Sequence, residues 1–401
     1  MRPKALILQS EAFSAVRAEI ATIHGSIVSD ELMLTCIIAG LTSSWYDVND
    51  LGLSHVLGSQ VLLSLWLASK TNHLKYQQTF ILGAYVYWLA ISAFVTGDPK
   101  SSFHFQEALQ SSVGSLEMSH DILDDSDIPE THRKVFPHPL TGFSMQTFIS
   151  VGKVGSLCRL AHSEVVYNIQ QSANHQAILE QRARSVEMEL LGMFQTRQHN
   201  FQDPQDSQTT IDEILTVGEA YRCAGLLQLY TAFPHLLQPH TPGLAAIHNE
   251  IPEEDLLFDL NTRETTSHKE FTPLQHNWLR RLAFHILSIL ETIPATSGTR
   301  VIQGLPVLIA ATWFVDPVQD DPHQAPFEHP GLPLRASSKS KEDGRGLVRN
   351  GLRMHEKYVG LQQVSRIIEI VEEVWRSDDE GKGKCDWIVL VASKGLQTLY
   401  G

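Results

Sequence analysis

Along most of this chain the apolar positions recur at three and four, the spacing that gathers them on one face of an α-helix. Phe13, Val16, Ile20 and Ile23 set the pattern within Ser10–His24. Ser29-Asp-Glu-Leu32 then reads as a helix start, a capping hydroxyl followed by acids in the first turn. That helix continues through Leu34, Ile37, Ile38 and Leu41 to Ser44. Two strongly apolar helices are expected over Asp50–Ser69 and His73–Thr96, and a weaker amphipathic one over Ser102–Met118. A long helical pair spans Phe143–Ser172 and Asn174–Gln198. Thr210-Ile-Asp-Glu213 opens the next helix and Pro234–Pro242 closes it. Pro273–Ile293, Val301–Phe314, Gly346–Tyr358, Gln362–Arg376 and Asp386–Tyr400 complete the series. No period-two run is long enough for a sheet, so the expected class is all-α, a large multi-helix domain of antiparallel helices.

Two stretches break the periodicity. Asp121–Thr141 combines acids with Pro129, Pro137 and Pro139. Asp316–Asp343 carries five prolines and then Ser-Ser-Lys-Ser-Lys-Glu, the composition of a mobile insertion. The organisation expected is one domain over residues 1–401, with lobes at 1–120 and 140–401 and flexible loops near 121–141 and 316–345. The uncharged run Gln77–Gly97 approaches the ~20 residues that span a bilayer. It stands alone in a chain of mean hydropathy −0.10, so a helix buried in a protein core is expected and no membrane association.

Composition narrows the function. The 401 residues carry a formal net charge of −14 and 43% hydrophobic residues, ample for a core and unfavourable for phosphate neutralisation. Direct DNA binding by this chain is therefore doubtful, and a protein partner or a small-molecule effector suits it better. The four cysteines, Cys36, Cys158, Cys223 and Cys385, include no pair at metal-ligand or redox spacing, and they read as reduced, buried thiols.

Candidate chemistry is sparse. The acidic run Asp121-Ile-Leu-Asp-Asp-Ser-Asp127 offers Asp121, Asp124 and Asp125 as hard oxygen ligands for a magnesium–diphosphate, the device of helical terpenoid enzymes. Glu187-Met-Glu189, beside Arg182 and Arg184, is the nearest second acidic cluster. Prolines directly after the run favour a solvated loop instead. His235 with His240 and His323 with His329 lack helical spacing and a third ligand, and read as exposed loop histidines. Gly344-Arg-Gly-Leu-Val-Arg-Asn-Gly351 has no preceding strand and reads as a flexible loop. The aromatics Phe80, Tyr85, Tyr87, Trp88 and Phe94 read as core, with a ligand pocket as the other option. No catalytic residue, cofactor site or metal site is assigned on this basis.

One set of residues carries a resemblance. Tyr221-Arg-x-Ala-x-Leu-Leu-x-Leu-Tyr230 resembles the signature helix of the fungal-specific transcription factor domain, the regulatory part of fungal zinc-cluster regulators. Asp30-Glu-Leu, His55-Val-Leu-Gly-Ser59, Pro139-Leu-Thr-Gly142, Gly304-Leu-Pro306, Val374-Trp375 and Asp386-Trp387 are similar to further family elements, in the family's order. The resemblance marks His55, Gly58, Pro139, Gly142, Tyr221, Arg222, Ala224, Tyr230, Trp375 and Trp387 as structural positions: helix starts, glycine close approaches and aromatic anchors. Tyr221 and Arg222 could also pair with one another.

The resemblance implies a nuclear transcriptional regulator without catalysis. The family's six-cysteine zinc cluster, basic linker and coiled coil are missing from these 401 residues. Three readings stay open: an upstream segment outside this sequence, a regulator acting through a DNA-binding partner or coactivator, or a domain recruited to another task. Control of co-expressed genes such as a specialised-metabolite cluster is the leading expectation. An α-helical enzyme of terpenoid diphosphate metabolism is the alternative.

Overall fold

The computed structural model describes residues 3–22, 28–70, 73–118, 136–163, 173–193, 201–237, 271–315, 327–329, 331–332, 334, 340–383 and 385–400. The class is all-α, with thirteen α-helices among these residues. They are α1 (Pro3–Thr22), α2 (Asp30–Tyr46), α3 (Leu53–Ala68), α4 (Tyr76–Ser92), α5 (Pro99–Ser115), α6 (Met145–Ala161) and α7 (Ala173–Gly192). After these come α8 (Ile211–Ala232), α9 (Pro273–Glu291), α10 (Gly304–Ala311), α11 (Lys341–Val359), α12 (Gln362–Asp379) and α13 (Trp387–Lys394). Two 3₁₀ turns, Pro234–Leu237 and Gly298–Ile302, follow α8 and α9. A two-residue parallel pair, His73–Leu74 with Glu117–Met118, takes the first residues of the stretch expected to be helical from His73 and the last of the one expected to reach Met118.

Local chemistry explains most boundaries. Ser29 caps α2 by accepting from Leu32 N at 3.0 Å. Thr210 and Glu213 form a reciprocal capping box at the start of α8, an arrangement worth about 1 kcal/mol. Ser340 and Asp343 do the same for α11, so that helix starts five residues before the expected Gly346. The expected helix Val301–Phe314 splits into a 3₁₀ turn and α10, and α13 ends where Gly395 takes a positive φ of 66°.

Helix α6 lies at the centre, packed against α4, α5, α7 and α8. Gly152 and Gly155 permit this: a Cβ on either would come within 3.2 Å of α4 or its C-terminal continuation, at Ala90 Cα and Ala93 C. The uncharged Gln77–Gly97 stretch forms α4 and is buried from Ile81 to Phe94, and no helix among the described residues is long and apolar enough to cross a membrane. Helix α8 passes from α6 to α9 and α10, and α10 contacts α11 and α12. The chain then returns to its N-terminal third, where Gln363 Nε2 donates to Ser44 Oγ at 2.9 Å. Asp30 ties that third together, accepting from Trp66 Nε1 (2.7 Å), Lys70 Nζ (2.7 Å) and Gln78 Nε2 (3.1 Å). Burial would raise its pKa, but these hydrogen bonds hold the carboxylate below its ordinary range.

Two expected loops are corrected. The glycine-rich Gly344–Gly351 segment is the body of α11; Gly344 is needed where a Cβ would lie 2.2 Å from the Phe314 ring. Within the expected mobile insertion, Leu332 is buried and residues from Lys341 are helical.

Candidate functional site

Several of the resemblance-marked residues make contacts inside the molecule. Tyr221 donates to Ile302 O at 2.7 Å and does not pair with Arg222. Arg222, 2% exposed, donates to both oxygens of Glu219 at 2.7 Å and to Leu190 O at 3.1 Å, fastening α8 to the end of α7. Ala224 is buried on the same helix. The Tyr230 hydroxyl meets His329 Nε2 at 3.2 Å, and burial together with nearby Glu187 pushes that hydroxyl's pKa up. Trp387 Nε1 donates to Gln228 Oε1 at 2.7 Å, and Trp375 Nε1 donates to Ala311 O at 2.9 Å. His55 stacks on Phe13 with ring centroids 5.1 Å apart. Gly58 is not a close-approach position, since a Cβ there would meet no atom within 4 Å.

Pro139 and Gly142 belong to a tight turn whose ends, His138 and Gly142, exchange backbone hydrogen bonds of 2.8 Å. Gly142 has φ +60°, and a Cβ there would lie 2.9 Å from Ile214 Cγ2, so glycine suits the turn on both counts. The His138 ring is held as a neutral tautomer: Nδ1 accepts from Leu140 N and Thr141 N at 3.1 Å, and Nε2 donates to Phe80 O at 3.0 Å. Burial pushes its pKa down to about 4. A second ring proton would also face two N–H donors, which works in the same direction.

His329, expected to be exposed, is 8% exposed and lies 3.6 Å from Glu187 Oε1. Its proline-rich neighbourhood gave no sign of this, because the burial comes from α7, α8 and the Trp278 ring of α9. Glu189 pairs with Lys153 at 3.0 Å and accepts from Ser150 at 2.7 Å, while Arg182 lies over the Phe103 ring. Asp121, Asp124 and Asp125, like His240 and His323, lie outside the described residues.

One further cluster had no signal in the sequence pattern. Glu219, Cys223 and His285 place a ligand atom each within 4.8 Å of one another, a set that could hold a soft divalent cation. Arg222 already neutralises that carboxylate, and Cys223 donates to it at 3.3 Å, with its thiol pKa pushed up by burial. The observed arrangement is a closed hydrogen-bonded group. Of the cysteines, Cys36, Cys158 and Cys223 are buried and Cys385 half-buried, all as free thiols.

Open space lies elsewhere. A cavity of about 160 Å³ adjoins the His138–Gly142 turn, with Phe80 the one residue of the expected aromatic run on its wall. A larger one, about 380 Å³, opens between the C-terminal end of α9, the 3₁₀ turn Gly298–Ile302, α10 and α11. Leu287, Leu290, Val307, Val348 and Leu352 give it an apolar wall. Arg300, Gln303 and His355 supply its polar side. Arg300 is half-buried and donates to backbone carbonyls: to Pro294 O at 3.2 Å and, closer, to Ile293 O. Its third nitrogen reaches Gln303 Oε1 at 3.4 Å. No carboxylate lies within ion-pair distance of Arg300 among the described residues. Burial lowers the pKa of Arg300, and burial together with Arg300 pushes His355 down to about 4. Gln303 is 3% exposed and its Nε2 has no hydrogen-bond partner.

A family model described as the fungal specific transcription factor domain matches residues 1–401. Neither a curated protein nor a solved structure matches the chain.

Proposed function

Because the chain belongs to the fungal-specific transcription factor domain family, which supports a transcriptional regulator, we propose that it controls a set of co-expressed genes through a protein partner in the nucleus. The match over residues 1–401 carries this reading. Membership of a transcription factor family speaks for a role without catalysis. The net charge of −14 favours a partner that supplies the contact with DNA, a DNA-binding regulator or a coactivator, over direct phosphate contacts by these residues.

The surface supports a partner as well. Helix α3 exposes Leu53, Leu57 and Val61 at successive i, i+4 positions, and neighbouring α2 exposes Ile38 and Trp45, each at 45% or more. Large apolar side chains repeated along one helix face mark contact surfaces more often than inert ones. A specialised-metabolite cluster is the gene set we favour.

Transcript profiling of a strain lacking the gene tests the proposal. A coherent set of genes, contiguous in the case of a cluster, should rise or fall together. Unchanged transcripts under conditions where the gene is expressed would overturn it.

A further inference from the structure

We infer that the cavity between α9, α10 and α11 is a binding site for a small organic anion, an apolar body ending in a carboxylate, with Arg300 as its polar receptor. The inference stands on the cavity and is independent of which genes the protein controls.

The volume comes first. About 380 Å³ falls in the range of small-molecule pockets, which are mostly apolar with a few convergent polar groups. The walls meet that description: Leu287 and Leu290 from α9, Val307 from α10, and Val348 and Leu352 from α11.

The polar groups then choose the ligand. Two buried arginines come with acids, Arg222 with Glu219 and Arg345 with Asp378 and Asp379, while Arg159 donates to the carbonyls of Ala93, Thr96 and Gly97. Arg300 resembles Arg159 in donating to two carbonyls and to the weakly placed Gln303 Oε1, but it borders the larger cavity, and a guanidinium has N–H donors beyond these three bonds. Its charge is therefore solvated by dipoles without being neutralised. Gln303 shares that wall and holds the Arg300 guanidinium through its Oε1. A cation with no acid in ion-pair distance among the described residues favours a carboxylate over a hydroxyl or an amine. His355 shares the wall as a neutral imidazole, and Glu291, at the exposed rim, is the one acid lining the space among the described residues. The charge of Glu291 disfavours a dianion and leaves a monoanion with an apolar body as the best match.

The site can be blocked without disturbing the core. Gly351 lines the cavity from α11, and a Cβ there would meet no atom within 4 Å. Gly351→Phe projects a ring into open space and replaces a poor helix former.

The experiment uses the purified full chain, with phenylbutyrate and its uncharged counterpart phenylbutanol titrated by ligand-observed NMR. Phenylbutyrate should bind about tenfold more tightly than phenylbutanol, the factor expected for one charge-assisted contact. Arg300→Gln should bring the acid to the affinity of the alcohol and leave the alcohol unchanged. Gly351→Phe should weaken both about tenfold or more, with a thermal unfolding midpoint close to wild type. Equal binding of acid and alcohol by the wild-type chain would overturn the assignment of Arg300 as the anion receptor. Undiminished phenylbutyrate binding by Gly351→Phe, or no binding of either probe to the wild-type chain, would overturn the site itself. Gly351→Phe keeps the test decisive even if Arg300→Gln fails to fold.

Discussion

Arg222 and Arg300 are both withdrawn from water, and their surroundings differ in one respect. Arg222 arrives with its counter-charge: Glu219, one turn before it on α8, takes two of its nitrogens at 2.7 Å. Arg300 has no acid within reach among the described residues and borders a cavity of about 380 Å³. A buried charge that is fully paired is a fastener, and removing either half leaves the other stranded. A charge satisfied only by dipoles, beside empty space, retains the capacity to bind something of opposite sign. Of the resemblance-marked residues, Arg222 is such a fastener, and Tyr221, Tyr230, Trp375 and Trp387 make hydrogen bonds inside the molecule. The cavity residues lie between the recognisable motifs, at Arg300, Gln303 and Gly351.

The largest effect that sharpens this contrast is acid sensitivity. His355 at the cavity and His138 at the Pro139–Gly142 turn both have pKa values near 4, against an ordinary 6.5. Both are neutral in the folded protein and protonated in the unfolded chain below pH 6.5, so their contribution is complete above that value and is lost as pH falls toward 4. Between pH 7 and pH 5 the loss is about 2 kcal/mol for each. Urea denaturation at the two pH values should show it, and His355→Gln should remove about half of the drop. An undiminished drop in that variant would mean that His355 accepts its proton in place, and that the cavity tolerates a second cation.

Next comes the fastener. Arg222→Met strands Glu219 and frees Leu190 O, and should cost about 3 kcal/mol in urea unfolding. A loss below about 1 kcal/mol would show that the pair is solvated and that the contrast with Arg300 is not one of burial. Tyr230→Phe removes one hydrogen bond, to His329, and should cost about 1 kcal/mol by the same measurement. Smallest is Gly351→Phe, expected to stay within about 0.5 kcal/mol of wild type because its side chain enters open space. A large destabilisation there would mean that the cavity is smaller in solution than the structure shows.

How much of this was legible in the sequence depends on how local the causes are. The capping signals at Ser29 and Thr210 placed the starts of α2 and α8 correctly, because a cap is decided within four residues. The uncharged stretch around Tyr85–Trp88 was legible as a buried helix from its composition, whereas Pro139–Gly142 was marked only through the resemblance and its turn was not read. The Ser340–Asp343 cap was equally local but was obscured by the polar, proline-rich run before it. Gly344 and Gly346 suggested a loop, whereas Gly344 is there for a side chain thirty residues away in the chain, Phe314. His329 and the Glu219–Cys223–His285 group depend on helices that meet only in the folded protein. The cavity was the least legible feature. It is built from four separate elements, and neither an unfilled volume nor an unpaired donor leaves a periodic trace.

The most direct measurement joins the cavity to regulation. The chromosomal gene is replaced by the Gly351→Phe allele, and the transcripts that respond to deletion of the gene are quantified alongside the abundance of the protein. Protein abundance should match wild type while those transcripts shift toward their level in the deletion strain or away from it. Transcripts indistinguishable from wild type, at equal abundance and with the cavity blocked, would contradict a regulatory role for the site.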